Sequence, residues 1–254
     1  MGFWILRFTA MPNKKNGLIA PPARPVISRR SLIALAPLAL LAACDLTPEG
    51  KTESFLRGVQ SFNDWVQGAV FNPAKLSPEL PLSETTLLKD FRVNTESPHD
   101  LNLDLKNWAL EVGGLVKRPG RYTLAEIERL PRKEMNTRLV CVEGWSMVPR
   151  WGGARLADFL TAVGAAPDAK YVYVACGDGY YTSYDMASAR HPQTLLCYEA
   201  YGMLLTLDHG APLRIVMPTK LGYKSAKWLT NLFVTNEKPG GYWEDQGYDW
   251  FAGI

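Results

Sequence analysis

Cysteine thiols are the groups of this sequence best suited to chemistry. Besides Cys44 there are three, Cys141, Cys176 and Cys197, and without a Cys-x-x-Cys pair they do not resemble a disulfide framework. Cys141 ends a predicted strand in the segment 137–147 (TRLVCVEGWSM). Such a cysteine is most often a small buried hydrophobic residue, but its thiolate also suits nucleophilic catalysis with a histidine or binding of a soft metal. The residues alone leave these three roles open.

A group of cationic and hydroxyl side chains near the C-terminus could bind an anion. Arg214 offers a planar, bidentate donor for a phosphate, Lys224 and Lys227 offer point charges three residues apart, and Ser225 adds a hydroxyl. Lysines usually lie on a solvated surface, but these stand in an otherwise apolar stretch. The sequence therefore favours an anion site over a solvated surface at this place.

Residues 1–44 have the layout of an export signal. A basic flank without acidic residues ends in the pair Arg29-Arg30, which is typical of a twin-arginine signal. The apolar run 32–43 that follows is shorter than the ~20 residues that a membrane-spanning helix needs. Its end, 41–44 (LAAC), resembles a lipobox, in which Cys44 becomes the lipidated first residue. The sequence thus predicts a periplasmic protein, lipid-anchored to the inner membrane.

The charge of the chain depends on whether this leader is counted. The whole sequence has 28 Lys and Arg against 25 Asp and Glu. The leader contains six of the basic residues and no acidic one, so the remainder has 22 against 25, a net charge of −3. The apparent basicity therefore belongs to the signal, and bulk charge gives no support for nucleic-acid binding.

Residues 45–90 are a predicted tether and lead-in region, which contains a predicted helix at 52–71. The elements that must position the candidate side chains follow it. Residues 91–254 form the predicted domain. Its hydrophobic patterns predict strands at 108–112, 138–142, 171–175, 213–217 and 228–235, a capped helix from 123 to 130 and a helix at 156–163. Short strands and helices mix without a regular βαβ alternation, which indicates an α+β domain with a mixed β-sheet.

Four separated blocks resemble the sulfite oxidase family of molybdopterin-dependent oxidoreductases, most closely its periplasmic methionine-sulfoxide reductase branch. The first is 138–146 (RLVCVEGWS), which is similar to the cofactor-ligating segment of that family. The others, in matching order and spacing, are 195–199 (LLCYE), 208–214 (DHGAPLR) and 222–229 (GYKSAKWL). The resemblance spans roughly residue 91 to the C-terminus. It implies a single α+β, sulfite oxidase-type molybdopterin-binding domain with a mixed β-sheet.

The resemblance also implies roles for individual residues. Cys141 would be the protein ligand of molybdenum, and the segment 91–96 (FRVNTE) resembles the family's first pterin-contacting loop. Tyr180 and Tyr181 stand near the position of an active-site tyrosine, as catalytic candidates with packing as the alternative. The predicted cofactor-binding set is Asn94, Thr95, Glu96, Cys141, Cys176, His209, Arg214, Lys224, Ser225 and Lys227.

Oxygen-atom transfer on a Mo-molybdopterin cofactor is the reaction that the resemblance implies. The arginine that follows the ligand cysteine in sulfite oxidases is missing from the segment 142–146, which favours reduction of a sulfoxide-like substrate over a sulfite-type dehydrogenase. Because the sequence contains no Cys-x-x-Cys-His haem motif, the expected electron source is a membrane cytochrome or quinol-linked donor. Two alternatives from other classes are a cysteine hydrolase using Cys141 and a non-catalytic binding domain.

Overall fold

The computed structural model describes residues 49–93 and 100–254. Within them the helices are α1 (Glu49–Val70), α2 (Leu124–Glu128), α3 (Leu156–Ala162) and α4 (Met186–Ala189). The strands are β1 (Leu110–Gly114), β2 (Gly120–Tyr122), β3 (Arg132–Asn136), β4 (Leu139–Val140), β5 (Ser146–Met147), β6 (Arg150–Arg155), β7 (Tyr171–Cys176), β8 (Tyr181–Asp185), β9 (Leu195–Ala200), β10 (Met203–Leu204), β11 (Arg214–Val216) and β12 (Leu229–Thr235). Short 3-10 helices occur at Leu82–Glu84, Leu88–Asp90, Leu207–His209, Gly222–Lys224 and Glu244–Gln246.

Two five-stranded sheets form the body of the unit Phe55–Ile254. The first has the order β2-β1-β12-β7-β8, with β1 parallel to β12 and every other neighbour antiparallel. The second is antiparallel and runs β10-β9-β6-β3, with β11 also paired to β9. The hairpin β4-β5 stands apart from both. The predicted α+β class with a mixed sheet is confirmed.

Strand β9 lies between two hydrophobic cores and is buried along nearly its whole length. Leu196 and Tyr198 belong to the larger core, with Phe159 of α3 and the inward side of the first sheet. Leu195 and Cys197, which alternate with them, belong to the smaller core. Each fully buried leucine of this kind contributes roughly 1.5–3 kcal/mol of transfer free energy. The strand therefore fixes the position of everything that is hydrogen-bonded to it, including β11.

Several local predictions match the observed elements. The capping box before α2 is present, since the Thr123 hydroxyl accepts from the Glu126 amide and the Glu126 carboxylate accepts from the Thr123 amide at 2.8 Å. Helix α1 begins three residues before the predicted 52–71, and the predicted strand at 138–142 is only Leu139–Val140 because the chain turns at residue 141. Strands β6 and β9 are absent from the prediction, since continuous burial and, in β6, glycines remove the alternation that marks a strand. Strands β3 and β8 are also absent from it, and both are rich in charged or polar residues.

No helix of the described segments is both long and apolar enough to cross a bilayer. The predicted signal with its lipidated Cys44 lies outside the described residues, and so do Asn94, Thr95 and Glu96. The segment between α1 and residue 91 contacts the domain. The Leu80 amide donates to the Asn136 carbonyl at 2.8 Å, and the Thr86 amide donates to that of Val148 at 2.9 Å.

The close approach of β6 to β9 depends on a glycine, and a single added methyl group tests it. A Cβ at Gly153 would lie 2.2 Å from the Leu196 carbonyl oxygen and 2.7 Å from the Cys197 Cα. Because backbone cannot move aside cheaply, Gly153→Ala is expected to lower the free energy of unfolding by about 1–3 kcal/mol. Denaturant unfolding of the purified protein measures this change.

Gly58→Ala is the matched control, because that position lies inside α1 with nothing within 4 Å of the added Cβ. It is expected to raise the stability by roughly 0.5–1 kcal/mol, as alanine does in an exposed helix. Equal stability of Gly153→Ala and the wild type would contradict the close packing of the two strands.

Candidate active site

Six of the residues singled out in the sequence line one cavity of about 230 Å³. They come from three separate parts of the chain, the β4-β5 hairpin, the loop before β8 and the segment around β11. The residues are Cys141, Tyr180, His209, Arg214, Ser225 and Lys227. The cavity thus joins the candidate thiol to the candidate anion site.

The Cys141 thiol is placed by a tight turn between β4 and β5. The Cys141 amide donates to the Trp145 carbonyl at 2.9 Å, and the Gly144 amide donates back to the Cys141 carbonyl at 3.1 Å. Gly144 has a φ of +86°, a left-handed conformation that glycine adopts without strain. Burial raises the pKa of the Cys141 thiol, so the protein alone holds it protonated at neutral pH. A soft metal would displace that proton on binding.

Three residues near Cys141 were not among the predicted site residues. The Glu143 carboxylate lies 3.7 Å from the Cys141 Sγ and accepts a hydrogen bond from the Trp145 indole at 2.6 Å. The Arg92 guanidinium lies 4.7 Å from the centre of the Trp145 ring, at cation–π distance. All three line the cavity. Trp145 and Glu143 stand inside the motif around Cys141, and Arg92 stands in the segment 91–96 that resembles the family's first pterin-contacting loop.

Arg214 carries a buried positive charge. Only 6% of the residue is exposed, and its guanidinium donates to the carbonyls of His209 at 2.9 Å and Ser225 at 3.0 Å. It also lies 4.8 Å from the centre of the Trp151 ring. No carboxylate of the described residues forms an ion pair with it. Burial lowers the pKa of Arg214 to about 10, which reflects the cost of a desolvated cation. An anion in the cavity would offset that cost.

Lys227 adds a second cation beside Arg214. Its ammonium donates to the Asp208 carbonyl at 3.2 Å and lies 3.9 Å from the centre of the Trp228 ring. Burial, and after it the charge of Arg214, lower the pKa of Lys227 to about 8, while Asp178 and Asp208 act in the opposite direction. Two cations that disfavour one another indicate a place for an anionic ligand.

The His209 ring lies in the cavity wall with both nitrogens near an oxygen. Nδ1 is 2.7 Å from the Thr206 hydroxyl, Nε2 is 3.4 Å from the Phe91 carbonyl, and the ring stacks on Phe91 at 3.9 Å. Burial lowers the pKa of His209, so the neutral ring predominates at neutral pH. Since no histidine of the described residues hydrogen-bonds the Cys141 thiol, the geometry does not favour a Cys-His catalytic pair.

Lys224 does not line the cavity, although it was predicted with Lys227. Its buried ammonium forms an ion pair with Glu244 and donates to the Ser183 carbonyl at 3.0 Å. Spacing by three residues brings side chains to one face only in a continuing helix, and here the 3-10 helix ends at Lys224. The next residue, Ser225, has φ −91° and ψ +62°, which turns the chain. The two lysines therefore point in different directions.

Two other predicted residues also lie away from the cavity lining. Cys176 is buried in the larger core, at the end of β7. The Tyr181 hydroxyl donates to the Asp245 carboxylate at 2.6 Å, and that bond raises the pKa of Tyr181 to about 12. Tyr180 does line the cavity, and its hydroxyl donates to the Tyr223 carbonyl at 2.7 Å. Adjacent residues of an extended chain point to opposite sides, so only one of the two tyrosines faces the site.

The aromatic C-terminal segment supplies another part of the wall. Trp243 and Tyr248 line the cavity. The segment is tied to β8, because the Tyr242 amide donates to the Tyr181 carbonyl at 2.8 Å and the Trp250 indole donates to the Ser183 hydroxyl at 2.8 Å. The buried pair of Lys224 with Glu244 strengthens the same attachment.

Comparison with known proteins identifies the domain. Residues 96–243 match the family model described as the oxidoreductase molybdopterin binding domain. The chain belongs to the molybdopterin-binding oxidoreductase family. It is therefore an oxidoreductase whose cofactor is molybdopterin.

Two relatives are similar to this molybdopterin oxidoreductase in sequence, and one solved structure is similar to it in fold. A putative protein-methionine-sulfoxide reductase subunit of Azospira oryzae is 45% identical over 91% of this chain and 88% of its own. The catalytic subunit of a protein-methionine-sulfoxide reductase from Ralstonia nicotianae is 31% identical over 85% of this chain and 71% of its own. The sulfane dehydrogenase SoxCD of Paracoccus pantotrophus covers 54% of this chain and 40% of its own, with a TM-score of 0.50 and 23% identity, a likeness of fold.

The cavity of this molybdopterin oxidoreductase fits its cofactor in three respects. A single cysteine thiol suits a soft metal that the pterin's sulfurs also hold. The buried guanidinium of Arg214, without a carboxylate partner among the described residues, suits the terminal phosphate. Trp145 and Trp228 provide flat apolar surface for a ring system. The fit rests above all on Arg214, because its charge is otherwise uncompensated.

Replacing Arg214 tests the anion site directly, in protein produced without the cofactor. Inorganic sulfate is expected to stabilise the wild type by roughly 1–3 kcal/mol at concentrations well above its dissociation constant. Arg214→Met should lose this gain. Without sulfate its own stability should fall by no more than about 2 kcal/mol, since removal of a buried charge offsets the lost hydrogen bonds. Thermal unfolding with and without sulfate measures both effects.

Arg132→Met is the control, because Arg132 is partly exposed and paired with Glu199 and Glu134. It should keep the sulfate response. An unchanged response in Arg214→Met would show that the guanidinium does not receive the anion.

The lowered pKa of Lys227 predicts how sulfate binding depends on pH. Sulfate keeps its charge from about pH 6 to about pH 10, but Lys227 loses its proton near pH 8, so the affinity should fall about tenfold across that range. Without sulfate, the stability of the protein changes with pH in the opposite direction to the sulfate affinity. The unfolded chain, with a lysine pKa of 10.5, binds the proton more tightly, so stability rises between about pH 8 and 10.5.

Lys227→Arg should keep its sulfate affinity up to about pH 10, because a guanidinium remains charged there. Sulfate titration followed by thermal shift at several pH values measures the difference. The same loss of affinity in both proteins would exclude Lys227 as its source.

Proposed function

We propose that this protein is an exported, lipid-anchored molybdopterin enzyme that reduces a sulfoxide with electrons from a membrane donor. The observation that carries the proposal is the meeting, in one cavity, of the Cys141 thiol with the buried cation Arg214. The substrate class comes from the relatives, whose names describe protein-methionine-sulfoxide reductase subunits. The leader with its predicted lipobox at Cys44 supports the location.

Different residues of the cavity would bind different parts of the cofactor. Cys141 would ligate molybdenum as a thiolate, while Arg214, Ser225 and Lys227 would hold the terminal phosphate. His209, neutral and stacked on Phe91, would hydrogen-bond the pterin, as the family resemblance implies. When bound, the cofactor exchanges an oxygen atom with a substrate heteroatom and takes up or releases two electrons.

Further contacts in the proposal rest on the family resemblance. They are those of Asn94, Thr95 and Glu96 in the first loop and of Cys176 beside the pterin. Lys224 and Tyr181 are given structural roles instead, since their polar atoms are engaged with Glu244 and Asp245.

The catalytic role of the protein is to admit, orient and desolvate the substrate. Burial raises the pKa of Tyr180 well above its ordinary value, so its hydroxyl stays a hydrogen-bond donor at any physiological pH. A sulfoxide oxygen carries partial negative charge and would accept that bond in exchange for the Tyr223 carbonyl, which receives the single hydroxyl hydrogen of Tyr180 at 2.7 Å. Arg92 and Trp145, stacked beside Cys141, form the wall that a thioether or sulfoxide side chain would contact. Tyr180 is accordingly the proposed orienting group and Arg92 with Trp145 the selecting surface.

An electron donor outside this chain is part of the proposal. The sequence has no Cys-x-x-Cys-His haem motif, and the Azospira relative is named as a subunit, which implies assembly with another component. A membrane cytochrome or quinol-linked protein fits an enzyme anchored by lipid at Cys44. Small-molecule sulfoxides would then serve as convenient substrates in the laboratory.

Substitution of two cysteines separates the ligand from a core thiol. Cys141→Ser should lose molybdenum or lower sulfoxide reduction more than about 100-fold, because even second-shell substitutions at metal sites cost 10–100-fold. Cys197→Ser should keep both, since Cys197 is fully buried in β9, away from the cavity lining. Metal analysis and reduction of a methyl sulfoxide by a viologen dye measure the two properties.

The outcomes distinguish the parts of the proposal. Wild-type protein that folds without molybdenum or pterin would overturn the cofactor assignment. Protein that carries the cofactor but oxidises sulfite and leaves sulfoxides untouched would overturn the substrate assignment alone. Identical behaviour of the two serine variants would remove Cys141 from its role as ligand.

A further inference from the structure

Helix α1 carries a continuous apolar face that is turned away from the domain. Phe55, Val59, Phe62, Val66 and Val70 follow one another at intervals of three and four residues, which places them on one side of the helix. They are exposed, with Phe55 at 70% and Phe62 at 60% of their surface. A surface helix of a globular protein ordinarily buries this side. We therefore expect this exposed face to be covered by a binding partner or by a membrane.

The opposite, polar face of α1 contacts the domain. The Gln60 amide donates to the Tyr248 carbonyl at 2.7 Å, and the Gln67 amide donates to Asp249 at 2.6 Å. Asp64 is buried, accepts from the Phe251 amide at 3.1 Å and pairs with a lysine. Because these long-range bonds fix the rotation of the helix, the outward direction of the apolar side follows from the structure.

Exposed apolar surface is concentrated on this helix. Seven of the twenty large hydrophobic side chains exposed in the described part of the chain lie between Phe55 and Val70. Two of the seven, Phe62 and Trp65, form an aromatic pair with ring centres 6.0 Å apart. A patch of this kind marks a binding surface, and aromatic side chains are enriched where proteins meet the interface of a bilayer.

The position of α1 in the chain points to a bilayer as the occupant. Helix α1 begins at Glu49, five residues after the predicted lipid-bearing Cys44, and five residues span at most about 18 Å. This step rests on the proposed lipid anchor. The helix has three acidic and two basic residues, so its attraction to lipid would come from apolar contact and not from anionic headgroups.

We propose that the apolar face of α1 lies in the membrane interface, with the helix axis parallel to the bilayer. The helix then acts as a second attachment beside the lipid and fixes the orientation of the domain, since its polar face is hydrogen-bonded to the C-terminal segment. A lipid chain alone would not fix the orientation of the domain. With the helix embedded, the domain presents one constant side to the membrane and to any donor within it.

Spin labels on the two sides of the helix test the proposal in the full, cofactor-loaded protein. Val66→Cys places a nitroxide on the apolar face and Ser61→Cys places one on the polar flank, while Cys141, Cys176 and Cys197 are buried. On phosphatidylcholine vesicles in excess, the label at position 66 should lie about 5–10 Å below the headgroups and collide with oxygen more than with a water-soluble nickel complex. The label at position 61 should show the reverse preference.

A charge on the apolar face supplies the second arm. Phe62→Glu should abolish the preference for oxygen at position 66 and leave sulfoxide reduction within about twofold of the parent, as expected for an exposed residue remote from the cavity. Addition of phosphatidylglycerol to the vesicles should change the depth little.

Two results would overturn the proposal. Labels that both collide mainly with the nickel complex, in vesicle-bound protein, would overturn the proposal. So would dipolar broadening between labels at position 66 without a preference for oxygen, because that pattern indicates a second copy of the chain on the face. A protein that binds vesicles only through lipid at Cys44 would fail this test while keeping its molybdenum and its reductase activity. The failure of the inference is thus separate from that of the proposed function.

Discussion

Arg214 holds a positive charge in the wall of the cavity, with only 6% of the residue exposed. Its guanidinium bonds to the carbonyls of two loops and lies against Trp151, so the same group that would receive an anion also joins the segments around it. Position matters as much as charge, because Arg214 opens β11 and pairs with Cys197 on β9. The strand that separates the two cores therefore sets where the cation stands. A protein without a cofactor bears the desolvation cost of this arrangement, and a phosphate group at this position would relieve it.

The same principle explains why the thiol is held neutral until a metal is present. Cys141 sits in a turn that is defined by backbone hydrogen bonds and closed by Gly144, and its burial disfavours the thiolate. Charge develops at the thiol only together with a cation that compensates it. The metal end of the cofactor would thus meet a thiol that ionises only when a cation is bound. The phosphate end would meet a guanidinium that has no carboxylate partner among the described residues. Such sites are selective because a ligand must satisfy both of them at once.

Much of this site was predictable from the sequence, because its residues stand in compact blocks of recognisable order. Cys141, His209, Arg214 and Lys227 fall in three of the four blocks, and the fold brings all of them to one cavity. The role of Lys224 was less predictable, since its direction depends on where one short helix ends. Strands β6 and β9 were not predicted, because a strand buried on both sides loses the alternation of polar and apolar residues. Arg92 was missed for a different reason, since the resemblance of the segment 91–96 pointed to Asn94, Thr95 and Glu96 instead.

The wall of the cavity is contributed by residues that are far apart in the chain. Arg92 stands near the start of the domain and Tyr248 lies within the last ten residues, in a segment held by the buried pair of Lys224 with Glu244. The wall of the cavity is therefore complete only when the segment around Tyr248 has folded onto the rest of the domain. A cofactor that contacts the whole wall would bind after that step. Under the proposed export this order would put assembly before translocation, which a route for folded proteins allows.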